Sequence, residues 1–184
     1  MSPWGLRETA RRLHAGGVVA YPTEAVYGLG CDPENEQAVQ RLLALKQRPV
    51  EKGLILIAAD LAQLRRYLGP VPEAQMAQVL QSWPGPATWL LPAARGTPDW
   101  LTGGRDCLAM RVTGHPPARA LCLAWGFPLV STSANPTGRP PARSALQVRN
   151  YFDDRLDAIL TGPLGGRSRP TPIRDARTGA LVRA

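Results

Sequence analysis

Two lysines, Lys46 and Lys52, flank Arg48 in a chain whose other basic residues are all arginine. A surface charge tolerates either type, whereas a site that needs a compact ammonium group at one point requires lysine. Three converging cations repel one another by about 2–3 kcal/mol per pair at a separation of about 6 Å, and a bound triphosphate would offset that repulsion. The run therefore predicts a polyphosphate site. Chance clustering, side chains splayed into water, and a purely helix-terminal role for Lys46 are the alternatives.

A second candidate segment is Tyr21-Pro-Thr-Glu-Ala-Val-Tyr-Gly-Leu-Gly-Cys-Asp32. Thr23 lies at the end of an apolar strand, a usual ligand position in open α/β sheets. Gly28 and Gly30 permit close approach of the backbone or a positive φ in what we interpret as a turn. An ordinary tight turn is the alternative, since the dinucleotide fingerprint G-x-G-x-x-G is absent from this segment.

Polar side chains also follow a later apolar strand, in Ser131-Thr-Ser-Ala-Asn135. Their hydroxyl and amide groups form a hydrogen-bonding platform for a polar ligand. Neither His14 nor His115 is near in sequence to act as a base, and G-x-S-x-G is missing, so nothing indicates a serine hydrolase. Arg111, within another apolar strand, needs an anion. A substrate carboxylate and an internal Asp or Glu are equally suitable partners for it.

Two loops are ambiguous. Trp83-Pro-Gly-Pro-Ala-Thr88 is a rigid turn into a strand, and Thr88 is either a ligand contact or part of that turn. The segment from Gly165 to Asp175, with Arg183 beyond it, is either a flexible lid over the site or a tail packed on the sheet.

Caps and periodicity predict the elements that position these residues. Helices are expected after Ser2, from Asn35 to about Lys46, from Asp60 to Leu68, from Pro72 toward Trp83, from Pro116 to Trp125 and from Ser144 to Phe152. Strands are expected at 18–21, 54–57, 88–91, 108–112, 129–131, 158–160 and 181–182. This alternation predicts an α/β domain, with a sheet that is either parallel or mixed.

Composition bounds the class of protein. The 184 residues suit one domain, and 44% hydrophobic with 20% charged residues is typical of a globular chain. The apolar runs are too short to span a membrane, and the N-terminus lacks a signal-peptide layout. Three widely spaced cysteines indicate neither a disulfide framework nor a zinc site, so we expect a cytoplasmic protein. A net charge of +8 and a pI of about 10.2 favour polyanionic partners.

Taken together, these segments resemble the YrdC-like family in its short bacterial form, across essentially the whole chain. The most specific matches are Tyr21-Pro-Thr-Glu-Ala-Val-Tyr-Gly-Leu-Gly, Lys46-Gln-Arg-Pro with Lys52-Gly-Leu-Ile-Leu-Ile, Trp-Pro-Gly-Pro-Ala-Thr88 and Ser131-Thr-Ser-Ala-Asn135. The resemblance implies a single domain over residues 1–184, with a twisted, mixed, open sheet and flanking helices around a basic concave cavity.

The activity implied is that of a threonylcarbamoyl-AMP synthase. Such an enzyme joins L-threonine, bicarbonate or CO2, and ATP into L-threonylcarbamoyl-adenylate and releases pyrophosphate. Partner proteins then transfer the threonylcarbamoyl group to the adenosine beside the anticodon of tRNAs that read ANN codons. Mg2+ is expected to arrive with ATP, since Asp32 and Asp175 are only isolated candidates for holding it.

The resemblance also assigns roles. Lys46, Arg48 and Lys52 match a catalytic, phosphate-binding run, and Thr23, Arg111, Ser131 and Thr171 match contacts to L-threonine. ATP contacts are further expected at Cys107, Ser133, Asn135 and Arg183. Two departures stand out: Ile57 replaces a histidine of the two-domain relatives, and Pro172 removes an N–H donor from the tail.

A non-enzymatic RNA-binding or ribosome-assembly factor is the competing hypothesis, supported by the charge and the pI. The low aromatic content and the absence of RNA-binding motif signatures count against it.

Overall fold

The computed structural model describes residues 1–183 and shows a nine-stranded sheet covered by helices. The strands are β1 Val19–Pro22, β2 Tyr27–Gly30, β3 Ile55–Ala58, β4 Thr88–Pro92, β5 Cys107–Val112, β6 Leu129–Ser133, β7 Ala158–Ile159, β8 Ile173–Asp175 and β9 Leu181–Arg183. The α-helices are α1 Pro3–His14, α2 Glu36–Lys46, α3 Leu61–Leu64, α4 Glu73–Ser82, α5 Asp99–Thr102, α6 Pro116–Trp125 and α7 Ala145–Phe152.

The strand order is β7-β1-β2-β6-β3-β5-β4-β8-β9. Pairs β1–β7, β3–β5 and β4–β8 are parallel, and the other neighbouring pairs are antiparallel. The predicted α/β class with a mixed, open sheet is therefore confirmed, and the choice between a parallel and a mixed sheet is settled.

Helix starts follow the caps that the sequence predicts. The side chains of Ser2, Asn35 and Ser144 each accept a hydrogen bond from a backbone N–H in the first turn of the helix that follows. The helix predicted from Asp60 to Leu68 is shorter: α3 ends at Leu64, and a 3-10 turn, Arg65–Tyr67, continues it.

Strand β2 is a correction, because the sequence suggested a turn around Gly28 and Gly30. Neither glycine has a positive φ. A Cβ on Gly30 would lie 2.5 Å from the backbone oxygen of Val130 and 2.9 Å from the Tyr21 ring. Gly30 therefore serves close packing between strands rather than a turn.

The tail is also part of the sheet. Strand β8 pairs in parallel with β4, and β9 returns antiparallel on β8. Of the two interpretations of the tail, packing on the sheet is observed for Ile173–Asp175 and Leu181–Arg183, whereas residues 165–172 belong to no strand. The C-terminal strands β8 and β9 thus extend the sheet beside β4.

The core lies on both faces of the sheet. Along β1, Ala20 faces the larger apolar cluster, whereas Val19 and Tyr21 face a second cluster that includes residues of α1 and α6. This alternation follows the two-residue period of a strand. Burial of each Leu, Ile or Val side chain contributes about 1.5–3 kcal/mol to the free energy of folding. The sheet is therefore a stable base for the loops at its edge. No helix within residues 1–183 has the length and apolar character needed to cross a membrane.

Candidate active site

A cavity of about 720 Å³ opens where β6 ends and β2 and β3 begin. Its volume suits a ligand of nucleotide or drug size. Nine of the predicted site residues line it: Thr23, Arg48, Lys52, Cys107, Arg111, Ser131, Ser133, Thr171 and Arg183. The fold thus brings together groups that are up to 160 positions apart in the sequence. Lys46 and Asn135 do not line it.

Lys46 lies outside the cavity wall, so its predicted contact with phosphate stays a prediction. Its side chain is buried, and Nζ donates hydrogen bonds to the backbone oxygens of Ser133 and Asn135 and to Oδ1 of Asn135. An ammonium group has three donors, so these acceptors engage all of them. Lys46 anchors the end of β6 and the residues that follow it.

Burial also changes the ionisation of Lys46. Burial, together with the nearby Arg48 guanidinium, lowers the pKa of Lys46 to about 8. Loss of water disfavours the charged form, and the ring of oxygen acceptors opposes that effect. The three cations of the run do not converge on one point, because Lys46 points toward the end of β6 while Arg48 and Lys52 line the cavity.

Asn135 is likewise a structural residue of the loop after β6. Its Nδ2 donates to the backbone oxygens of Arg139, at 2.6 Å, and Pro136, at 3.2 Å, while Oδ1 faces Lys46. The donors and the acceptor of Asn135 already have partners within the protein, and its predicted contact with ATP stays a prediction.

Arg48 and Lys52 belong to one short turn. A 3-10 turn, Val50–Lys52, follows α2, and Arg48 closes it by donating from Nη2 to the backbone oxygen of Gly53 at 2.9 Å. Nε of Arg48 is buried without a hydrogen-bond partner in residues 1–183. The side chain of Lys52 is exposed at the cavity wall. This turn presents two cations to the same space.

Further arginines raise the positive potential of the cavity. Burial, followed by the charges of Arg183 and Arg105, lowers the pKa of Arg48. Partial loss of water and the charge of Arg111 lower the pKa of Arg183, whose surface is nevertheless largely exposed. Arginine remains charged despite such shifts, so the cavity carries several mutually repelling cations. An anionic ligand would relieve this repulsion.

Arg111 has the internal carboxylate partner that the sequence left open. Its Nη2 lies 3.3 Å from Oε2 of Glu24, and Nη1 donates to Oγ1 of Thr171 at 2.8 Å. The Nη2–Oε2 contact is an ion pair without hydrogen-bond geometry, because Oε2 of Glu24 has no hydrogen-bond partner among the described residues. Nε of Arg111 is also unpartnered there. Arg111 both pairs internally and lines the cavity.

The hydroxyl residues sit on rigid supports. Thr23 donates from Oγ1 to the backbone oxygen of Val26 at 2.7 Å, which leaves its lone pairs available as acceptors. Ser131 and Ser133 belong to β6, one strand period apart, and both line the cavity. Thr88 is fully buried and lies behind Thr171, with 3.4 Å between the two hydroxyl oxygens, so the structural interpretation of Thr88 holds.

Cys107 lines the cavity as a buried thiol. Burial, and then the neighbouring Asp106 carboxylate, raise its pKa. The thiol is therefore protonated near neutral pH and serves as a small, weakly polar wall group.

Sequence reasoning missed two charged wall residues, Glu24 and Arg105. Glu24 follows Thr23 directly, and its place in an otherwise uncharged run was an available signal. Arg105 lies after a Gly103–Gly104 turn and donates from Nη1 to the backbone oxygen of Glu51 at 2.9 Å. Nothing local in the sequence distinguishes it from the other arginines.

The candidate Mg2+ carboxylates lie outside the cavity wall. Asp32 lines a separate hollow of about 500 Å³, where β2 and β3 end. Asp175 accepts from the backbone N–H of Arg177 at 2.7 Å. Within residues 1–183, no group of three or more His, Cys, Asp or Glu side chains could hold a metal ion.

The sequence is similar to a known family and to named relatives over nearly its whole length. The Sua5/YciO/YrdC family model, described as "Telomere recombination", matches residues 11–184. A protein named threonylcarbamoyl-AMP synthase from Halorhodospira halophila is 62% identical over 182 residues, covering 98% of this chain and 95% of the relative. A protein of the same name from Stutzerimonas stutzeri is 55% identical over 180 residues, which cover 98% of this chain and 97% of the relative.

Solved structures agree in fold. The crystal structure of P. abyssi Sua5 complexed with L-threonine superposes with a TM-score of 0.89 at 33% identity. The match covers 95% of this chain and 52% of that chain, so this chain spans about half the length of Sua5. With the family model and these relatives matching nearly the whole length, the chain belongs to the Sua5/YciO/YrdC family.

Proposed function

We propose that this protein is a threonylcarbamoyl-AMP synthase, which forms L-threonylcarbamoyl-adenylate and pyrophosphate from L-threonine, bicarbonate or CO2, and ATP. The observation that carries the proposal is one cavity whose wall holds Arg48 and Lys52 together with Arg111 and the hydroxyls of Ser131 and Ser133. Cations suit a triphosphate, and a guanidinium with nearby hydroxyls suits a small hydroxy amino acid. The relatives named threonylcarbamoyl-AMP synthase support the same activity.

L-threonine is assigned to the end of the cavity near Arg111. The guanidinium binds the carboxylate, and Thr23, Ser131 and Thr171 supply hydrogen-bonding groups around it. The Sua5 structure bound to L-threonine, with its TM-score of 0.89, supports this assignment. Ile57, at the position of the expected histidine, is fully buried in β3, so in this protein it makes no polar contact with threonine.

The reaction has two steps. The neutral amine of threonine adds to CO2, the proton passes to water, and a carbamate results. A carbamate oxygen then attacks the α-phosphorus of ATP, the bond from that phosphorus to the bridging oxygen breaks, and pyrophosphate leaves. The protein needs no covalent intermediate, because holding the reactants in line contributes up to about 7–11 kcal/mol.

The arginine and lysine side chains of the cavity wall stabilise the negative charge of the departing pyrophosphate. As pyrophosphate departs, negative charge grows on its oxygens, and Arg48, Lys52, Arg105 and Arg183 surround the space that receives it. Fixed cations in a partly enclosed site stabilise such charge more than water does. Lys46 contributes indirectly, because it holds the end of β6, which carries Ser133.

Mg2+ is proposed to enter bound to ATP. The cavity wall contains one carboxylate within residues 1–183, Glu24, which is already paired with Arg111. The triphosphate oxygens, rather than a cage of side chains, would therefore hold the ion, which adds positive charge beside the transferring phosphorus.

Further assignments rest on the activity. The adenylate is a reactive mixed anhydride, so partner proteins are proposed to consume it in modifying the adenosine beside the anticodon of tRNAs that read ANN codons. The cytoplasm, where tRNA acts, is the proposed compartment. The same proposal includes direct contact of RNA with the basic residues of the cavity wall.

A purely RNA-binding role is not favoured. Single-stranded RNA binds to exposed aromatic platforms. The most exposed aromatic side chains among residues 1–183, Trp4 at 69% and Phe127 at 53%, lie outside the cavity wall. The basic surface and the aromatic surface are therefore separate.

Pyrophosphate release tests the proposal. Purified protein is incubated with ATP, Mg2+, L-threonine and bicarbonate, and each component is omitted in turn, while mass spectrometry follows threonylcarbamoyl-adenylate. Release that requires all substrates supports the proposal. Absence of release, with RNA binding that weakens steeply as salt rises, would instead support the binding role.

A further inference from the structure

Glu24 is held in a buried network at one end of the cavity. Its side chain pairs with Nη2 of Arg111 at 3.3 Å, and its Oε1 accepts from the hydroxyl of Thr113 at 2.9 Å. The same hydroxyl accepts from the backbone N–H of His115 at 3.1 Å. Glu24 is 8% exposed and Arg111 is 5% exposed. Two charges so well buried are retained only when each has its partner.

The charge of the cavity wall is uneven as a result. Glu24 is the single carboxylate among the wall residues within 1–183, and it lies beside Arg111. Arg48, Lys52, Arg105 and Arg183 have no carboxylate in that wall. Beside Arg111 the positive charge is therefore offset by Glu24, although Arg183 also acts on Arg111, whereas Arg48, Lys52 and Arg105 have no such offset within the wall.

We propose that Glu24 is a positioning and specificity residue, which holds the Arg111 guanidinium and cancels its charge so that this end of the cavity accepts a zwitterionic α-amino acid and rejects polyphosphate. This inference rests on the proposed synthase activity. An amino acid brings a carboxylate for Arg111 and an ammonium group that a carboxylate attracts. A polyphosphate has only negative charge, so Glu24 repels it toward the arginine and lysine end.

Without Glu24, the cavity would offer cations at both ends. ATP or pyrophosphate would then compete with threonine for Arg111, because a free guanidinium binds phosphate as readily as carboxylate. Sorting two anionic groups inside one cavity requires a repulsive element as well as attractive ones. Glu24 is the residue of the wall that supplies it.

The test variant is Glu24→Gln, which keeps the shape and an oxygen acceptor for Thr113 but removes the charge. We expect the KM for L-threonine to rise at least about tenfold, with the KM for ATP unchanged or lower. Pyrophosphate should become a competitive inhibitor against threonine. The matched control is Glu8→Gln, which removes the same charge from a carboxylate paired with Arg11 and Arg12 on α1, and its kinetics should equal those of wild type.

The outcomes separate the possibilities. A threonine KM equal to that of wild type, with only a lower melting temperature, would show that Glu24 is a structural counterion and would overturn the inference. If Glu24→Gln does not fold, the wild-type protein decides: pyrophosphate that competes with threonine in wild type overturns the inference, and pyrophosphate that competes only with ATP supports it. Failure of the wild-type protein to release pyrophosphate at all would defeat the synthase proposal itself.

Discussion

Lys46 lies beneath Asn135, with 2.9 Å between its Nζ and the backbone oxygen of Asn135. The two residues are far apart in sequence, at the end of α2 and just after β6. Their contact joins the end of α2, which leads into the turn with Arg48 and Lys52, to the end of β6, which carries Ser133. One hydrogen-bonded contact therefore stabilises two parts of the cavity wall. This relationship separates the two lysines of the chain into a buried anchor, Lys46, and an exposed wall residue, Lys52.

Replacing the anchor should destabilise the fold. Lys46→Met leaves the backbone oxygen of Asn135 without the lysine donor and leaves that of Ser133 with only the backbone N–H of Asn135, and each lost hydrogen bond of a charged donor costs about 1–3 kcal/mol. We expect the free energy of unfolding to fall by about 2–4 kcal/mol in urea denaturation. Lys52→Met, which makes the same change at an exposed position, should alter it by less than about 0.5 kcal/mol. Equal stability of the two variants would contradict the anchor role.

Removing the cation of Lys52 should affect catalysis instead. Lys52→Ala removes a charge that faces the departing pyrophosphate, and loss of one such group typically lowers turnover by about 10²–10³-fold. The measurement is pyrophosphate release at saturating substrates, with melting temperature as the check on folding. Arg7→Ala, which removes an exposed cation on α1, serves as the control and should keep full turnover. Near-normal release by Lys52→Ala would exclude this residue from the mechanism.

Gly30 should not tolerate a side chain. The added methyl group of Gly30→Ala would meet the backbone oxygen of Val130 at 2.5 Å, and relieving such overpacking costs about 1–3 kcal/mol or more. Gly28→Ala, two residues earlier in the same strand, meets its nearest atom at 3.3 Å and should cost clearly less. Thermal unfolding of both variants measures the difference. A Gly28 variant less stable than the Gly30 variant would refute the packing argument.

Cys122 provides a test at alkaline pH. Burial raises the pKa of its thiol from 9.0 to about 12, so between these values the unfolded chain loses the proton and the folded chain keeps it. The thiol's contribution is thus complete below about pH 9 and declines as pH rises toward about 12. Wild type should lose about 1.4 kcal/mol per pH unit more than Cys122→Ala in that range. Urea denaturation at several pH values, under reducing conditions, measures the two slopes, and identical slopes would contradict the prediction.

Local sequence signals were sufficient for most elements. Ser2, Asn35 and Ser144 capped helices where predicted, because capping is an interaction within one turn of the chain. Strand β2 was missed, because its glycines are explained by the neighbours Val130 and Tyr21 and not by their own φ values.

The candidate site shows the same difference between what local sequence predicts and what depends on contacts between distant segments. Residue type and the family resemblance identified Thr23, Arg48, Lys52, Arg111 and Ser131 as members of one site. Their sequence could not show that Arg111 pairs with Glu24 or that Lys46 turns away to hold Asn135, because these contacts join segments brought together only when the sheet forms. The sequence by itself determined which groups are available and where helices begin. The tertiary structure decided which charges meet, since burial and distance set the energy of every ion pair.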